Sequence, residues 1–359
     1  MANKCLEPLT FRGGARARNR VVLAAMTNGQ SRSDGSLGAE ELHWLDARAA
    51  GGFGIITTCA SHVSKDGQGW AGALGCFDDR LIPGLKALAL AMHRRGALAF
   101  AQLFHGGLRA DPAVTGQSLW SASAAPDGSC RAATEQDIRR AVGDFAAAAG
   151  RARAAEMDGV ELHGAHGYLF TQFLSLVENR RTDRWGGSLE NRARLLRETT
   201  RAVRANAPAP FVVGVRLSPE DFGNAKGLDL DESLQVARWL AEDGADFIHL
   251  SLWDVSKNTD KRPREHPLEL FRRVLPGNVR LFAAGKIWTR EDADLALSLG
   301  ADAVALGRAA IANPDWPLRA ADPGWTPRLP PLTADELRAR GLSPKFVEYV
   351  RRWKDFVAP

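Results

Sequence analysis

Short apolar runs alternate along the chain with longer segments in which apolar residues recur every three or four positions. An apolar run of about four to eight residues is typical of a buried strand, and the longer pattern is typical of an amphipathic helix. The runs lie at residues 21–26, 53–58, 97–103, 160–163, 211–217, 246–250, 279–284 and 302–306. The chain is therefore predicted to contain eight strand-then-helix units.

Two of the predicted helices have clear starting signals. Thr134 and Asp137 form the sequence pattern of a capping box, as do Thr289 and Asp292. Repeated β-then-α units imply parallel strands joined by right-handed crossovers, and the simplest closure of such a sheet is a barrel. We therefore predict an α/β fold, a single (β/α)8 TIM barrel. A doubly wound open sheet is the alternative.

Three connections after predicted strands are too long to be simple links. They cover residues 60–77, 104–133 and 252–265. Loops of this length are usually functional, and loops after strands emerge at the carboxyl-terminal face, where barrel enzymes carry their sites. These extended loops are predicted to cover an active site.

The segment after the predicted barrel differs in composition. Residues 323–331 are rich in proline. Large apolar residues follow at near-helical spacing, namely Phe346, Val350, Trp353 and Phe356. We predict a barrel over residues 1–320 and a tail over 321–359 whose helix packs on the same barrel. A contact with a neighbouring subunit of a homo-oligomer is the alternative.

Composition limits the class of protein. The chain has 359 residues, 45% of them hydrophobic, which suits a large barrel core. The net charge of +5 is spread without a long run of like charges, so nucleic-acid binding is not indicated. The four cysteines are dispersed, and neither a signal core nor a membrane-length apolar run occurs. We expect a cytoplasmic protein in a reducing compartment, without membrane contact.

Residues 158–168 carry the strongest chemical signal. A predicted strand ends at His163, and His166 and Tyr168 follow within five residues among three glycines. Titratable side chains at the end of a buried strand suit a catalytic site on a parallel α/β scaffold. Other interpretations are a metal site, a structural histidine pair and a core tyrosine. Because no carboxylate or cysteine lies nearby at ligand spacing, we predict no metal.

A G-x-G-x-x-G match occurs at residues 67–72. The dinucleotide-binding fingerprint must follow a strand directly and open an apolar-periodic helix. This match does neither, and we interpret it as a loop.

The ends of the other strands complete a candidate site, because a barrel brings the last residues of every strand to one mouth. Those residues are Ala25, Met26, Thr27, Cys59, Ala60, Gln102, Arg216, Ser251, Gly285, Lys286, Gly307 and Arg308. Barrels commonly bind phosphate after the seventh and eighth strands, where Arg308 could neutralise the charge. Arg216 and Gln102 can hydrogen-bond the edge of a planar polar ring. The pattern indicates a phosphorylated cofactor across the mouth.

Several of these stretches together resemble the old yellow enzyme family of FMN-dependent ene-reductases, in its NADH:flavin oxidoreductase branch. The resemblance covers about residues 6–318. The most specific stretches are 161–168 and 179–188, and weaker ones are 19–20, 102–107, 215–218 and 307–308.

The resemblance implies an enzyme that binds FMN and uses NADPH or NADH as reductant. It implies cofactor-binding roles for Ala24, Ala25, Met26, Thr27, Ala60, Gln102, Arg216, Gly285, Gly307 and Arg308. It further implies that hydride passes from NAD(P)H to FMN, and then from FMN N5 to the β carbon of an activated alkene, in a ping-pong cycle. In that scheme His163 and His166 bind the carbonyl oxygen and Tyr168 protonates the α carbon.

The chain departs from one branch of the family at two positions. Thr27 and Gly29 stand where that branch has a redox-tuning cysteine and a substrate-contacting tyrosine. Thiol-based tuning is therefore not expected, and the substrate pocket is expected to be wider on that side.

Two hypotheses from other classes stay open at the level of sequence. One is a flavin-free barrel lyase or isomerase that acts on a phosphorylated substrate. The other is a flavin-binding redox sensor without turnover. Both are compatible with the same fold, because barrels host many functions.

Overall fold

The computed structural model of the protein describes residues 3–221 and 223–359. Eight parallel strands lie in chain order around a closed barrel. They are β1 (Val21–Leu23), β2 (Ile55–His62), β3 (Leu98–Phe104), β4 (Gly159–Gly164), β5 (Val212–Leu217), β6 (Phe247–Ser251), β7 (Arg280–Ala284) and β8 (Ala303–Leu306). The pairing of β8 with β1 closes the barrel. The predicted TIM barrel is confirmed, and the open-sheet alternative is wrong.

A helix follows each strand. The eight helices are α1 (Ala39–Ala50), α2 (Ile82–Arg94), α3 (Glu135–Ala154), α4 (Leu189–Asn206), α5 (Leu230–Glu242), α6 (Pro267–Val274), α7 (Arg290–Ser298) and α8 (Arg308–Ala312). Both predicted capping boxes are present, at Thr134 before α3 and at Thr289 before α7. Among the helices of residues 3–221 and 223–359, none combines the length and apolar character that a bilayer crossing requires.

Shorter elements decorate the barrel. Helical turns occur at Lys4–Leu6, Lys65–Gly67, Asp79–Leu81, Gly107–Arg109, Pro112–Thr115, Leu169–Leu174, Trp316–Arg319, Ala334–Ala339 and Pro344–Val350. The loop after β3 contains a parallel pair of short strands, Leu119–Ser121 and Cys130–Ala132. The loop at residues 67–72 opens no helix, as its sequence context predicted.

The amino-terminal end of the barrel is filled by aromatic rings. An antiparallel pair, Leu9–Thr10 with Arg16–Ala17, brings Phe11 across that end. The Phe11 ring centroid lies 5.9, 6.1 and 6.1 Å from those of Phe100, Phe247 and Phe282. These rings are buried and make this end an apolar plug. The polar site must therefore lie at the other end.

Two strand ends differ from the prediction by three or more residues. β1 ends at Leu23, so residues 24–26 leave the strand and face the mouth. β2 continues to His62, because its backbone exchanges hydrogen bonds with the returning loop at Leu74 and Cys76. Ala60 therefore belongs to a strand rather than to a loop.

The carboxyl-terminal segment contacts the barrel through its aromatic residues. Phe346 packs edge-on against Trp44 of α1, with ring centroids 5.0 Å apart. Leu332 forms an isolated bridge with Val357. The helix ends at Val350, so Trp353 follows it in a turn instead of continuing the helical spacing.

Candidate active site

The carboxyl end of β4 folds back so that three side chains meet. His166 has a φ of +63°, and Gly167 has a φ of +74°. A Cβ at position 167 would overlap the backbone oxygen of Asn224, so this position requires glycine. The reversal places the His163 ring centroid 4.9 Å from that of His166 and 4.9 Å from that of Tyr168. The three candidate catalytic residues therefore form one cluster.

Arg109, from the loop after β3, fixes this reversal. Its guanidinium donates to the backbone oxygen of His166 and lies 4.5 Å from the centre of the Tyr168 ring. Phe104 supports the other side of Tyr168 with an edge contact, at a centroid distance of 5.4 Å. The positive-φ backbone and the tyrosine are thus held by the same cation.

A short polar chain connects β4, β5 and β6. The Ser251 hydroxyl lies 2.6 Å from His166 Nε2 and accepts a hydrogen bond from Arg216 Nη2 at 3.0 Å. Arg216 is 7% exposed, and its Nε atom has no partner. Among the described residues, no carboxylate lies within ion-pair distance of Arg216. A buried cation with a free donor is costly unless an anionic or polar group completes it.

A cavity of about 390 Å³ opens beside this chain. Ten of the residues predicted for the site line it, namely Ala24, Ala25, Met26, His166, Arg216, Ser251, Gly285, Lys286, Gly307 and Arg308. Trp253, Trp288 and Trp353 add indole surface to the same wall. Apolar walls with a few convergent polar groups are typical of a cofactor site.

The remaining predicted residues lie outside this lining. Ala60 pairs with Gln102 across β2 and β3, and both are buried. Thr27 follows Met26 and is partly exposed. His163 is 4% exposed and reaches the cavity side through its contact with His166.

The phosphate-binding part of the site was predicted at the residues that follow β7 and β8. Gly285 lies close to Leu252, and a Cβ there would approach Leu252 at 2.8 Å. Arg308 is exposed at the start of α8, whereas Lys286 pairs with Asp254 at 3.1 Å. Arg308 is therefore the better placed cation for an incoming phosphate.

Sequence reasoning missed four residues that the structure brings into or below the site. Trp288 and Trp353 lie in a loop and in the tail, where no pattern points to a site. Arg109 lies in the long loop 104–133, whose length predicted a cover for the site but did not single out this residue. His249 carried a signal that could have been used, since it is a polar residue inside the apolar run of β6. It also shares the strand face of Ser251 two residues later.

A buried polar layer lies beneath the mouth. Glu161 accepts a hydrogen bond from Gln102 Nε2 at 2.7 Å, and its other oxygen lies 2.7 Å from His249 Nδ1. Burial opposes ionisation of Glu161, but His249, Arg216 and Gln102 together lower its pKa. Burial lowers the pKa of His249. The Glu161 carboxylate therefore accepts a hydrogen bond from the Nδ1–H group of a neutral His249 imidazole.

Protonation at the mouth follows from burial. Burial, with the neighbouring Arg216 and Arg109, lowers the pKa of His163 and of His166 well below the usual 6.5. Burial raises the pKa of the Tyr168 phenol from its usual 10.0. At neutral pH the cluster therefore offers two neutral imidazoles and a protonated phenol. This set can donate hydrogen bonds to a carbonyl oxygen and can supply a proton.

A second cavity, of about 1150 Å³, lies away from the mouth between α1 and the carboxyl-terminal segment. Two of its arginines have partners, since Arg328 pairs with Glu336 and Arg340 donates to the Ala312 backbone, and none of the unpartnered buried side-chain atoms found among the described residues lies in its lining. It lacks the free donors of the mouth. Size alone therefore does not identify the site.

The barrel, the cavity and the buried Arg216 without an ion pair together fit a barrel enzyme that binds an anionic cofactor. Residues 4–323 match the model of the NADH:flavin oxidoreductase / NADH oxidase family, and the chain belongs to that family.

Three similar proteins illustrate the relationship. The probable NADH-dependent flavin oxidoreductase YqiG of Bacillus subtilis is 36% identical over 323 residues, which cover 87% of this chain and 86% of that protein. The NADH:fumarate oxidoreductase of Klebsiella pneumoniae is 34% identical, but the match covers 89% of this chain and 36% of that protein. The structure of the old yellow enzyme homologue from Zymomonas mobilis aligns with a TM-score of 0.82 at 28% identity, over 96% of this chain and 99% of that one.

These matches confirm the resemblance drawn from the sequence. The protein is an oxidoreductase of the old yellow enzyme family that uses FMN and NAD(P)H. The flavin-free lyase hypothesis is therefore wrong. The unpaired Arg216 Nε and the tryptophan-lined cavity fit an anionic, planar cofactor.

Proposed function

We propose that the protein is an ene-reductase that reduces activated alkenes, such as α,β-unsaturated carbonyl compounds, with NAD(P)H through FMN. The observation that carries this proposal is the cluster of His163, His166 and Tyr168, in which His166 lines the same cavity as Arg216. Reduction of an enone requires a pair of donors beside a proton source. Hydride transfer to the β carbon produces an enolate, whose oxygen carries negative charge and whose α carbon takes up a proton.

FMN, when bound, supplies hydride acceptance from NAD(P)H and hydride donation to an alkene. We propose that it is held by Ala24, Ala25, Met26, Thr27, Ala60, Gln102, Arg216, Gly285, Gly307 and Arg308. Arg216 and Gln102 would contact the polar edge of the ring, and Gly285, Gly307 and Arg308 the phosphate. The reductant and the alkene would occupy the same space in turn, which gives a ping-pong cycle.

The two histidines act on the substrate oxygen. Each neutral imidazole carries one N–H, and His163 Nδ1 has no partner within the protein. Negative charge develops on the carbonyl oxygen as hydride reaches the β carbon, and donors aimed at that oxygen stabilise it. Such a donor is commonly worth about 3 kcal/mol.

Tyr168 completes the reaction. Its O–H bond breaks as a C–H bond forms at the α carbon, and the resulting phenolate regains a proton from water. The Arg109 guanidinium, 4.5 Å from the ring centre, stabilises the phenolate while it exists. The reaction therefore adds one hydride and one proton across the double bond.

The substrate class has support from one relative. Fumarate is an alkene activated by carboxyl groups, and it appears in the name of the Klebsiella pneumoniae protein. Because this chain spans about a third of that protein, the name supports the class of substrate and no particular compound.

The test is Tyr168→Phe, followed by stopped-flow absorbance of the flavin with NADPH, NADH and 2-cyclohexenone. Reoxidation by the enone should slow by about 10²- to 10⁴-fold, the range for loss of a general acid. Reduction by the nicotinamide should stay within twofold, since that step needs no proton from the phenol. Equal slowing of both half-reactions would refute the proton-donor role. A wild-type flavin that the enone cannot reoxidise would favour the redox-sensor hypothesis.

A further inference from the structure

Two members of the buried layer, Glu161 and His249, have no part in the reaction as proposed. Glu161 is 2% exposed and His249 is 1% exposed, and neither lines the cavity at the mouth. A buried carboxylate is costly to maintain, even when it is fully hydrogen-bonded. An ionised group kept inside the barrel directly under the mouth calls for a physical explanation.

Glu161 is the counter-charge of Arg216. Burial lowers the pKa of Arg216, and Glu161 is the carboxylate whose charge opposes that shift, although no direct ion pair joins the two side chains. In the strand register Glu161 lies level with Gly214, and Arg216 is two residues further towards the mouth. Two residues along a strand span about 6.6 Å. The negative charge therefore sits one layer below the positive charge.

The other groups around Glu161 do not cancel its charge. His249 is neutral and donates from Nδ1, and Gln102 is an amide. His163 and His166 are neutral at the mouth, and Arg109 lies on the far side of Tyr168. Glu161 is thus the one negative charge in the described lumen that opposes Arg216. In a low-dielectric interior such a charge acts over several ångströms.

We infer that Glu161 is a positioning residue that lowers the reduction potential of the bound cofactor by partly neutralising Arg216. The inference rests on the proposed contact of Arg216 with the flavin ring. Two-electron reduction places negative charge on that ring, and Arg216 stabilises the charge. Glu161 reduces this stabilisation, which keeps the reduced cofactor a strong hydride donor towards the alkene.

Glu161 also fixes the orientation of Gln102. A carboxylate only accepts hydrogen bonds, so the Gln102 amide must turn its nitrogen towards Glu161. The Gln102 carbonyl oxygen is then left to accept from an N–H group on the ring edge. Glu161 therefore both opposes the charge of Arg216 and sets the orientation of the Gln102 amide.

The experiment is an equilibrium reduction of the FMN-saturated Glu161→Gln protein against a reference dye. The substitution keeps the shape and removes the charge. At a fixed potential, the ratio of reduced to oxidised flavin should rise at least tenfold, which corresponds to about 30 mV for a two-electron couple. His249→Gln is the matched control, because it perturbs the same layer, retains a donor and keeps the carboxylate. Its ratio should change less than threefold.

A second comparison is needed in case the Glu161→Gln protein does not fold because Arg216 is then uncompensated. The double variant Glu161→Gln/Arg216→Gln carries neither charge, and its potential should exceed that of Arg216→Gln alone, because the field of the Glu161 carboxylate adds to that of Arg216 at the ring and acts there even when Arg216 is absent. Folded, flavin-loaded variants with unchanged potentials would overturn the inference and leave the ene-reductase proposal intact. A wild-type protein that binds no FMN would overturn both.

Discussion

The two ends of the barrel interior differ in the kind of side chain that they bury. At the amino-terminal end, Phe11, Phe100, Phe247 and Phe282 pack ring against ring. At the mouth and in the layer beneath it, Arg216 Nε, His163 Nδ1 and His249 Nε2 are buried without partners. The rings at one end are satisfied by packing, whereas the other end leaves donors and acceptors free.

The difference separates stability from function along the barrel axis. An unpaired buried polar atom costs about 1–3 kcal/mol, so the mouth reduces the free energy of unfolding. Buried aromatic rings contribute in the opposite direction. The plug therefore offsets the cost of the site, and substitutions at the two ends should have opposite signatures.

The largest expected effect is a loss of stability at the plug. Phe247 is fully buried and stacks on Phe282 with ring centroids 4.4 Å apart. Phe247→Ala should lower the free energy of unfolding by about 3–5 kcal/mol, the range for removal of a core aromatic ring. Urea unfolding followed by circular dichroism measures this change. The flavin spectrum and potential of the folded variant should match those of the wild type.

A control uses an apolar side chain on the surface. Leu90 on α2 is 41% exposed, and Leu90→Ala should change stability by no more than about 0.5 kcal/mol. A shifted flavin potential in folded Phe247→Ala protein would show that the two ends are coupled. The proposed separation would then fail.

The next effect is a loss of rate at the mouth. His163→Leu removes a donor to the substrate oxygen and should slow reoxidation by 2-cyclohexenone about 10²- to 10³-fold. Its stability at pH 8 should be equal to or above that of the wild type, because an unpaired buried nitrogen is replaced by an apolar group. Stopped-flow absorbance and urea unfolding give the two readouts.

His43→Leu provides the matched histidine control, since His43 is exposed on α1. Both of its readouts should stay at wild-type values. If His163→Leu unfolds at clearly lower urea than the wild type, His163 is a structural residue and the comparison between the two ends is wrong.

The sequence predicted the mouth better than the plug, and the reason is physical. Each strand and its helix form a local pattern, so eight units and both capping boxes could be recognised. Barrel geometry then converts strand ends into neighbours. His163, His166 and Tyr168 are close in the chain, so their cluster could be anticipated as well.

Contacts between distant segments carried no local signal. The Glu161 and His249 pair spans 88 residues, and Phe11 reaches rings on three strands from a short amino-terminal hairpin. Trp353 lines the cavity from the tail. The extension of β2 depended on a loop that returns to pair with it. Such features are set by packing rather than by local periodicity.

The smallest effect concerns acid stability. The folded-state pKa of His163 lies below its unfolded value near 6.5, because burial disfavours the cation. As the pH falls below about 6.5, the unfolded chain binds a proton at this position before the folded chain does. The free energy of unfolding should therefore fall with pH, by up to about 1.4 kcal/mol per pH unit for each such histidine. This loss ends where the folded protein itself becomes protonated.

His163→Leu removes one of these titrating groups. The free energy of unfolding of this variant should therefore decline less steeply below pH 6.5, although it changes little at pH 8. Phe247→Ala should lower the whole profile without changing its slope, because no titrating group is altered. Other buried histidines, such as His62 with a pKa lowered to about 4, contribute equally to all three proteins. Urea unfolding at pH 8, 6 and 5 distinguishes a change of slope from a change of height. If the free energy of unfolding of wild type and of His163→Leu fell in parallel with pH, His163 would not stay neutral in the folded protein. The role of His163 as a neutral hydrogen-bond donor at the mouth would then be wrong.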